Sequence, residues 1–334
     1  MPSIDVRSMS FGYGKEPVLR DINVCIEGAG LTCIIGPNGV GKSTLVKCMN
    51  GLLKPTSGEV LVDGRPVKDY TVKEISRLIG YVPASAQPSF PMSVVDSILI
   101  GRDSKSKWRI DPEDVAAAYR ALRTMRMEGM ALRGIGELSA GQMQKANLCR
   151  GLVREAEILI LDEPTANLDV KHQLFVTNFL QVLARETGAR VVMISHDLNI
   201  AARFADEVLV LREPGEVEAY GPPAEVVTEE MIRKVYSVRS KVVDMEGRPH
   251  VIPMSAESWR SCTTAPRCPT SETSGGSSRR DGTGGRWSAP STTRPNSGSG
   301  SLSYATRGRR VPTRTAVGYG RRSKTYSVTC ITVR

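Results

Sequence analysis

The chain has 334 residues, with 45 Lys and Arg against 35 Asp and Glu, for a formal charge of +10. Residues 256–334 hold 14 basic and 3 acidic residues, whereas the other 255 residues hold 31 and 32, so the body is nearly neutral and does not indicate a nucleic-acid partner. Seven scattered cysteines without a CxxC pair argue against disulfides and structural zinc. The sequence shows neither an apolar run long enough to span a membrane nor a signal-peptide pattern at the N-terminus.

The first part of the chain, residues 4–27, predicts short β-strands. Ile22, Val24 and Ile26 alternate with polar residues and cysteine, which indicates a strand with one buried face. Glycines bound a second apolar run at residues 58–64, which predicts a hairpin. We therefore expect antiparallel strands beside a parallel sheet.

A phosphate-binding pattern, GxxxxGK[ST], is matched at every fixed position by residues 36–44. The apolar run 31–35 before it predicts a buried strand, and a helix is predicted after it from the spacing of Leu45, Cys48, Met49 and Leu52. Backbone N–H groups and the helix N-terminus then bind phosphates, Lys42 adds positive charge and Ser43 is placed to bind Mg²⁺. The predicted nucleotide-binding residues are Gly36, Pro37, Asn38, Gly39, Gly41, Lys42, Ser43 and Thr44. The alternative, an accidental glycine-rich turn, does not explain the flanking strand and helix.

A helical insert is predicted at about residues 85–150. Asp111-Pro112 is a favourable helix start. After it, an apolar stripe consists of Val115, Ala118, Tyr119, Leu122 and Met125. Residues 138–142 open another helix, which carries Met143, Ala146 and Leu152.

After the insert, strands and helices alternate, which is typical of an α/β fold. Residues 158–161 are four apolar residues without alternation, as in a strand buried on both faces. The remaining predicted elements are a helix at 170–186, strands at 191–194 and 208–211, a helix at 224–235 and a last small strand pair.

Polar residues at the ends of two of these strands suggest metal-assisted phosphoryl transfer. Asp162 is predicted to hold Mg²⁺, and Glu163 is a predicted catalytic residue that orients and activates the attacking water. His196 follows the strand at 191–194 and is the second predicted catalytic residue, as a hydrogen-bond donor to the γ-phosphate. The alternatives are an ordinary acidic pair at a strand end and an ordinary loop histidine.

Five segments together resemble the ATPase subunits of ABC transporters, in the same order and spacing. They are the phosphate loop, LSAGQ at 138–142, ILILDEP at 158–164, and the segments at 166–169 and 195–197. The family's usual LSGGQ has glycine where this chain has Ala140. The resemblance covers about residues 3 to 254.

This resemblance implies an α/β P-loop NTPase (RecA-like) core with an antiparallel β subdomain and an inserted helical subdomain, using ATP and Mg²⁺. It implies a homodimer in which Ser139, Gly141 and Gln142 of one subunit face the γ-phosphate bound by the other. Asp169 would signal across that interface. Tyr13 matches the residue that stacks on adenine, although it could instead be a simple packing aromatic.

Finer features resemble ATPase subunits of importers for ferric siderophores, haem and cobalamin. They lie at residues 93–96, 101–102, 168–173, 195–201 and 221–228. The expected protein is a peripheral ATPase on the cytoplasmic face of the cell membrane, with permease subunits as partners, a substrate-binding protein as an indirect partner and no specific nucleic acid.

Other functions remain open at this point. Zinc and manganese importers share the first feature, and an export subunit is a further alternative. A soluble ABC ATPase acting on DNA or ribosomes is disfavoured, because the chain has one phosphate loop and no coiled-coil or zinc insert. Glu163 argues against a regulator that binds ATP without turnover.

The chain departs from the family after the predicted strand that leads into the insert. The family has glutamine at the position of Ala84, where its amide reaches Mg²⁺ and the attacking water. Gln87 lies three residues further on and could swing in, since three residues span about 10 Å. The alternative is that Gln87 is only a polar loop residue.

The ATPase domain is expected to cover residues 1–254, followed by a basic tail at 255–334. Of the last 79 residues, 42 are Ser, Thr, Gly or Pro, so the composition predicts disorder. One explanation for so arginine-rich a tail is a frame-shift product, and another is a basic arm that binds anionic lipid or nucleic acid.

We predict that truncation after residue 255 leaves ATPase activity within about twofold of the full chain, because the tail has too little apolar surface to fold onto the body. Steady-state phosphate release by both chains checks this. Loss of folding or turnover in the shorter chain would contradict it.

Overall fold

The computed structural model describes residues 1–84, 91–102 and 111–256. Its central element is a six-stranded sheet with the order β10-β9-β3-β8-β7-β6. The strands are β3 (Gly30–Ile35), β6 (Ile79–Val82), β7 (Ile158–Leu161), β8 (Arg190–Ile194), β9 (Glu207–Arg212) and β10 (Glu216–Gly221). All neighbouring pairs are parallel except β9 with β10. The predicted α/β core is therefore confirmed.

An antiparallel sheet of four strands has the order β2-β1-β4-β5. Its strands are β1 (Ser3–Phe11), β2 (Leu19–Glu27), β4 (Ser57–Val62) and β5 (Arg65–Pro66). The turn at Asp63 and Gly64 joins β4 to β5, as the glycine pattern predicts. The last two strands of the described chain, β11 (Val238–Met245) and β12 (Arg248–Ala256), form a separate antiparallel hairpin.

The helices of the described ranges fall into three groups. α1 (Lys42–Met49) and α2 (Val72–Leu78) lie between strands of the two sheets in the chain order. The predicted insert contains α3 (Val94–Ile100), α4 (Pro112–Thr124) and α5 (Ala140–Leu152). The later helices are α6 (Val170–Thr187), α7 (Leu198–Phe204), α8 (Pro223–Val226) and α9 (Glu229–Tyr236).

The core lies on both faces of the six-stranded sheet, because alternate residues of each buried strand point to opposite sides. Ile158 and Ile160 of β7 pack with α1 and the antiparallel sheet. Leu159 and Leu161 pack with the insert and the later helices. The continuous apolar run of β7 thus serves two clusters, which is why it shows no alternation.

A buried arginine joins the strand ends opposite the phosphate loop. Arg190, at the start of β8, is 2% exposed and donates to Gly28 O at 2.7 Å and Thr32 Oγ1 at 2.9 Å. It also pairs with Glu207 Oε2 at 2.8 Å, and it hydrogen-bonds the carbonyl of Glu27. The guanidinium therefore connects β3 and β9 of the six-stranded sheet to the end of β2 in the antiparallel sheet.

Several sequence expectations are wrong in detail. The helix predicted at 224–235 is two helices, because Thr228 caps a new start by accepting from Met231 N at 3.1 Å. α1 ends at Met49, and Gly51 takes a left-handed φ of 74°, so Leu52 lies outside the helix and is 62% exposed. Tyr119 is 39% exposed and therefore lies off the buried stripe of α4.

The predictions for Gln87 and for the tail concern residues outside the described ranges, apart from residues 255 and 256 at the end of β12. Among the helices of the described ranges, none combines the length and apolar composition that a bilayer crossing requires.

We predict that Arg190→Met lowers the free energy of unfolding by about 3 kcal/mol, since it removes a buried guanidinium and leaves Glu207 and the carbonyls of Glu27 and Gly28 without their partner. Urea unfolding followed by circular dichroism measures this. Arg7→Met is the matched control: Arg7 pairs with Asp5 on the surface and its side chain is 60% exposed, so its loss should stay within about 0.5 kcal/mol. Equal effects of the two changes would contradict the structural role of Arg190.

Candidate functional site

Three neighbouring parallel strands bring the candidate residues together. β8 lies between β3 and β7, with Cys33 and Leu161 both opposite Met193. The carboxyl ends of the three strands consequently lie at one edge of the sheet. The phosphate loop follows β3, the acidic pair follows β7, and the loop with His196 follows β8.

The phosphate loop needs glycine at two places where the backbone packs tightly. Gly36 has a φ of 152°, and a Cβ there would lie 2.4 Å from Leu211 O. Gly41, before the first residue of α1, has a φ of 104°, and a Cβ there would lie 2.7 Å from Leu19 Cδ2. The loop can therefore turn into the helix with its backbone close to both sheets.

The side chain of Lys42 folds back onto the first residues of the phosphate loop. Its side chain donates to Gly36 O at 2.8 Å and to Pro37 O at 2.7 Å, and the residue is 5% exposed. Burial lowers the pKa of Lys42, while the nearby carboxylates of Glu163 and Asp162 oppose that shift. A phosphate bound in the loop could accept the hydrogen bonds that these carbonyls accept in the structure.

Ser43 and Asp162 join the start of α1 to the end of β7. Ser43 Oγ donates to Asp162 Oδ1 at 3.0 Å, and Asp162 is 4% exposed. Burial raises the pKa of Asp162, and the Ser43 hydrogen bond opposes the shift. A hydroxyl and a carboxylate side by side offer the hard oxygen ligands that Mg²⁺ requires, so these residues fit the ion predicted from the sequence.

Glu163 and His196 form the second polar pair of the site. His196 Nε2 lies 2.5 Å from Glu163 Oε1. Because an ionised carboxylate only accepts, the proton of this hydrogen bond belongs to Nε2. Glu163 has a left-handed φ of 53°, which is uncommon for a residue with a side chain. The structure thus brings together both residues predicted to be catalytic.

Tyr13 stands beside the start of α1. Its ring packs edge to face on Phe11 with centroids 4.9 Å apart, and its hydroxyl lies 3.4 Å from Thr44 Oγ1. The residue is 67% exposed. A largely exposed ring next to a phosphate loop is compatible with stacking on a base, which stays a prediction.

A different group of predicted residues surrounds the start of α5. Ser139 and Gln142 form a reciprocal cap, with Gln142 N donating to Ser139 Oγ at 3.3 Å and Ser139 N to Gln142 Oε1 at 3.0 Å. An added Cβ at Gly141 would lie 3.4 Å from Leu168 Cδ2 and 3.7 Å from Asn167 O. Within the described ranges, no hydrogen bond connects this group to the phosphate loop.

Asp169 lies close to that group, as the cap of α6. It accepts from His172 N at 2.8 Å, and His172 Nδ1 also lies 2.8 Å from its carboxylate. The hydrogen bonds to His172 lower the pKa of Asp169. The predicted residues therefore form two groups within one chain, one at the phosphate loop and one at the starts of α5 and α6.

An open pocket of about 660 Å³ lies beside the phosphate loop. Gly36, Pro37, Asn38 and His196 line it together with residues that the sequence reasoning missed, namely Arg212, Lys234 and Tyr236. Arg212 and Lys234 both pair with Glu218, at 2.8 and 2.5 Å. These residues belong to β9 and α9, which lie far from the phosphate loop in the chain, so no local sequence pattern marks them.

The sequence analysis also gave no role to Gln144. The apolar pattern of α5 pointed to Met143, which is only half-buried, whereas the buried face includes Gln144 at 5% and Asn147 at 3% exposure. One buried face of α5 consists of residues spaced three or four apart, namely Gln144, Asn147, Leu148 and Gly151. The sequence signal for Gln144 was therefore its place, with Asn147, on the same helix face as Leu148.

The fold and loop define a nucleotide-binding α/β protein with carboxylates at the phosphate edge. Residues 19–166 match the model of the ABC transporter family. The ferric enterobactin transport ATP-binding protein FepC of Escherichia coli is 36% identical over 252 residues, covering 74% of this chain and 92% of FepC. The hemin import ATP-binding protein HmuV of Rhodopseudomonas palustris is 36% identical over 272 residues, covering 78% and 98%. The chain belongs to the ABC transporter ATP-binding family, whose members hydrolyse ATP.

Solved structures agree with this membership. A metal-chelate type ABC transporter in an inward-facing conformation gives a TM-score of 0.65 at 25% identity, covering 76% of this chain and 98% of the other. A dimeric ATP-binding cassette in a post-hydrolysis state with ADP and Pi gives 0.58 at 28% identity, covering 66% and 98%. The RecA-like P-loop fold with its antiparallel and helical subdomains is thus confirmed.

Ala84 lies two residues beyond Val82, whose carbonyl accepts from Asp162 N at 2.8 Å. We predict that Ala84→Gln raises ATP turnover about fivefold, because an amide beside the carboxylates adds about one hydrogen bond to the attacking water. Ala84→Met, of similar size without the amide, is the control. Initial rates of phosphate release measure both.

Gln87→Ala separates the alternatives. If it lowers turnover while Ala84→Gln has no effect, Gln87 fills the role of the missing glutamine. If neither change matters, this loop plays no chemical part and the prediction is wrong.

Proposed function

We propose that Glu163 is the general base for ATP hydrolysis in this chain and that His196 is its catalytic partner. The observation that carries the proposal is their 2.5 Å contact at the carboxyl edge, next to the Ser43–Asp162 bond and the phosphate loop. The Glu163 carboxylate accepts the proton of the attacking water. The Nε2–H of His196, which faces that carboxylate in the structure, can turn to donate to the γ-phosphate.

The phosphate loop holds the triphosphate in this proposal. The loop N–H groups and Lys42 bind its oxygens, and Tyr13 stacks on the adenine ring. Ser43 and Asp162 hold Mg²⁺, which when bound neutralises charge on the phosphates. Burial of Asp162 favours a cation beside it, since an isolated carboxylate with so little solvent is costly.

The active form is proposed to be a homodimer. In the described residues, Ser139, Gly141, Gln142 and Asp169 make no hydrogen bond to the phosphate loop of their own chain, so they are available to the loop of a second copy. The first turn of α5 would add its N–H groups to the γ-phosphate only when the dimer is closed. The similarity to a dimeric cassette with bound ADP and Pi supports this arrangement.

The proposed role of this ATPase is to energise a membrane permease that imports an iron-siderophore, haem or cobalamin type of cargo. FepC and HmuV are named for ferric enterobactin transport and hemin import, and both match over more than nine-tenths of their length. We place the subunit at the cytoplasmic face of the membrane, with permease subunits as direct partners and a substrate-binding protein as an indirect one. The ATPase domain is assigned to residues 1–254 and the basic tail to 255–334.

We predict that Glu163→Gln binds MgATP normally but hydrolyses it at least about 100-fold more slowly, because an amide cannot accept the proton of the attacking water. The variant should also accumulate as a closed dimer with ATP. Phosphate release, nucleotide binding and size-exclusion chromatography measure the three effects. Lys42→Ala is the contrasting variant and should lose ATP binding itself. Near-normal turnover by Glu163→Gln would refute the assignment.

A further inference from the structure

Gln144 makes a buried contact with the peptide that carries Glu163. Its side-chain Nε2 donates to Glu163 O at 3.1 Å, from a residue that is 5% exposed. A peptide carbonyl only accepts, so the Gln144 amide must present its NH₂ group to it. Ala166 N, at 3.1 Å, is the second donor to the same carbonyl.

The backbone at Glu163 needs such support. Its φ of 53° lies in the left-handed region, which side chains disfavour. It also precedes Pro164, and a residue before proline prefers an extended conformation. A backbone held against two local preferences persists only when its surroundings determine it. The Gln144 amide is the side-chain part of those surroundings.

We infer that Gln144 is a positioning residue for the catalytic carboxylate, acting through the Glu163 peptide rather than on the substrate. A rotation of that peptide would move the Glu163 side chain away from His196 Nε2, which now lies 2.5 Å from it. A displacement of about 1 Å at a reacting group can cost about 100-fold in rate. This inference rests on the proposed role of Glu163.

The position of Gln144 on α5 gives the contact a second consequence. α5 begins at the cap formed by Ser139, five residues before Gln144, and runs without interruption to Leu152. Gln144 lies little more than one turn after the start of this continuous hydrogen-bonded helix, so a shift of α5 at its first turn would carry the Gln144 amide with it. In the proposed dimer that first turn faces the partner's ATP. Gln144 therefore couples engagement of the partner's nucleotide to the geometry of Glu163 in its own chain.

The test is a double-mutant cycle on the full chain with MgATP. Gln144→Met keeps the size of the side chain and removes the donor, and we expect kcat to fall between about 10- and 100-fold with KM within about twofold. Gln144→Asn keeps the amide one methylene short of the carbonyl and should show a similar loss. In the Glu163→Gln background, Gln144→Met should change the residual rate by less than about twofold, because the group that it positions is gone.

Gln181→Met is the matched control. Gln181 Nε2 also donates from a helix to a backbone carbonyl, that of Phe204, at 2.6 Å, and this bond lies outside the proposed machinery. It should leave kcat within about twofold. Thermal midpoints and binding of a fluorescent ATP analogue show whether each variant is folded. If Gln144→Met does not fold, Gln144→Asn takes its place in the test.

The outcomes separate the two proposals. If Glu163→Gln is inactive while folded Gln144→Met or Gln144→Asn keeps kcat within about twofold of the parent, the Gln144 inference is overturned and the proposed base stands. The inference is also overturned if Gln144→Met lowers kcat by the same factor in the Glu163→Gln background as in the parent chain. The effect of Gln144 would then not pass through the Glu163 carboxylate. Near-normal turnover by Glu163→Gln overturns both.

Discussion

The hydrogen bond from Ser43 to Asp162 is the contact on which the site depends. It joins the first turn of α1 to the end of β7, across the end of β8, and so brings together loops that are more than a hundred residues apart in the chain. Asp162 is almost fully buried, and its carboxylate must be compensated there. The hydroxyl of Ser43 provides part of that compensation, and the attraction of Asp162 and Glu163 for Lys42 acts across the same edge.

The loop after β7 carries both groups of predicted residues. Its first residues, Asp162 and Glu163, face the phosphate loop and His196. A few residues later, Asn167 and Leu168 lie against Gly141 at the start of α5. A single loop therefore contacts the nucleotide side of one site and the helix that would close another. In the proposed dimer, this loop would link the site that the second copy completes to Glu163 of its own chain.

The last elements of the described chain support the histidine loop. Asn199 of α7 exchanges two hydrogen bonds with the backbone of Val251, with Nδ2 to O at 3.1 Å and N to Oδ1 at 2.7 Å. Arg248 donates to Ala205 O, just beyond the end of α7, at 2.7 Å. The β11–β12 hairpin thus contacts both ends of the helix that begins two residues after His196.

The sequence alone determined the features that depend on local chemistry. The glycine spacing of the phosphate loop, the unbroken apolar run of β7 and the carboxylates that follow it specify backbone shape, burial and charge within a few residues. Those features were enough to predict the α/β class and to single out Ser43, Asp162 and Glu163 as candidate site residues. The structure places Ser43 beside Asp162 and Glu163 beside His196, and the roles of these residues stay a prediction. Only the tertiary structure decided which distant groups satisfy one another. Gln144 lies nineteen residues before Glu163 and Arg190 lies far from Thr32 in the chain, so no local period reports either contact. Apolar spacing alone also predicted helices that were too long. The hydrogen bond to Thr228 begins a new helix within the range predicted as one, and the turn hydrogen bond of Gly51 ends α1 before Leu52.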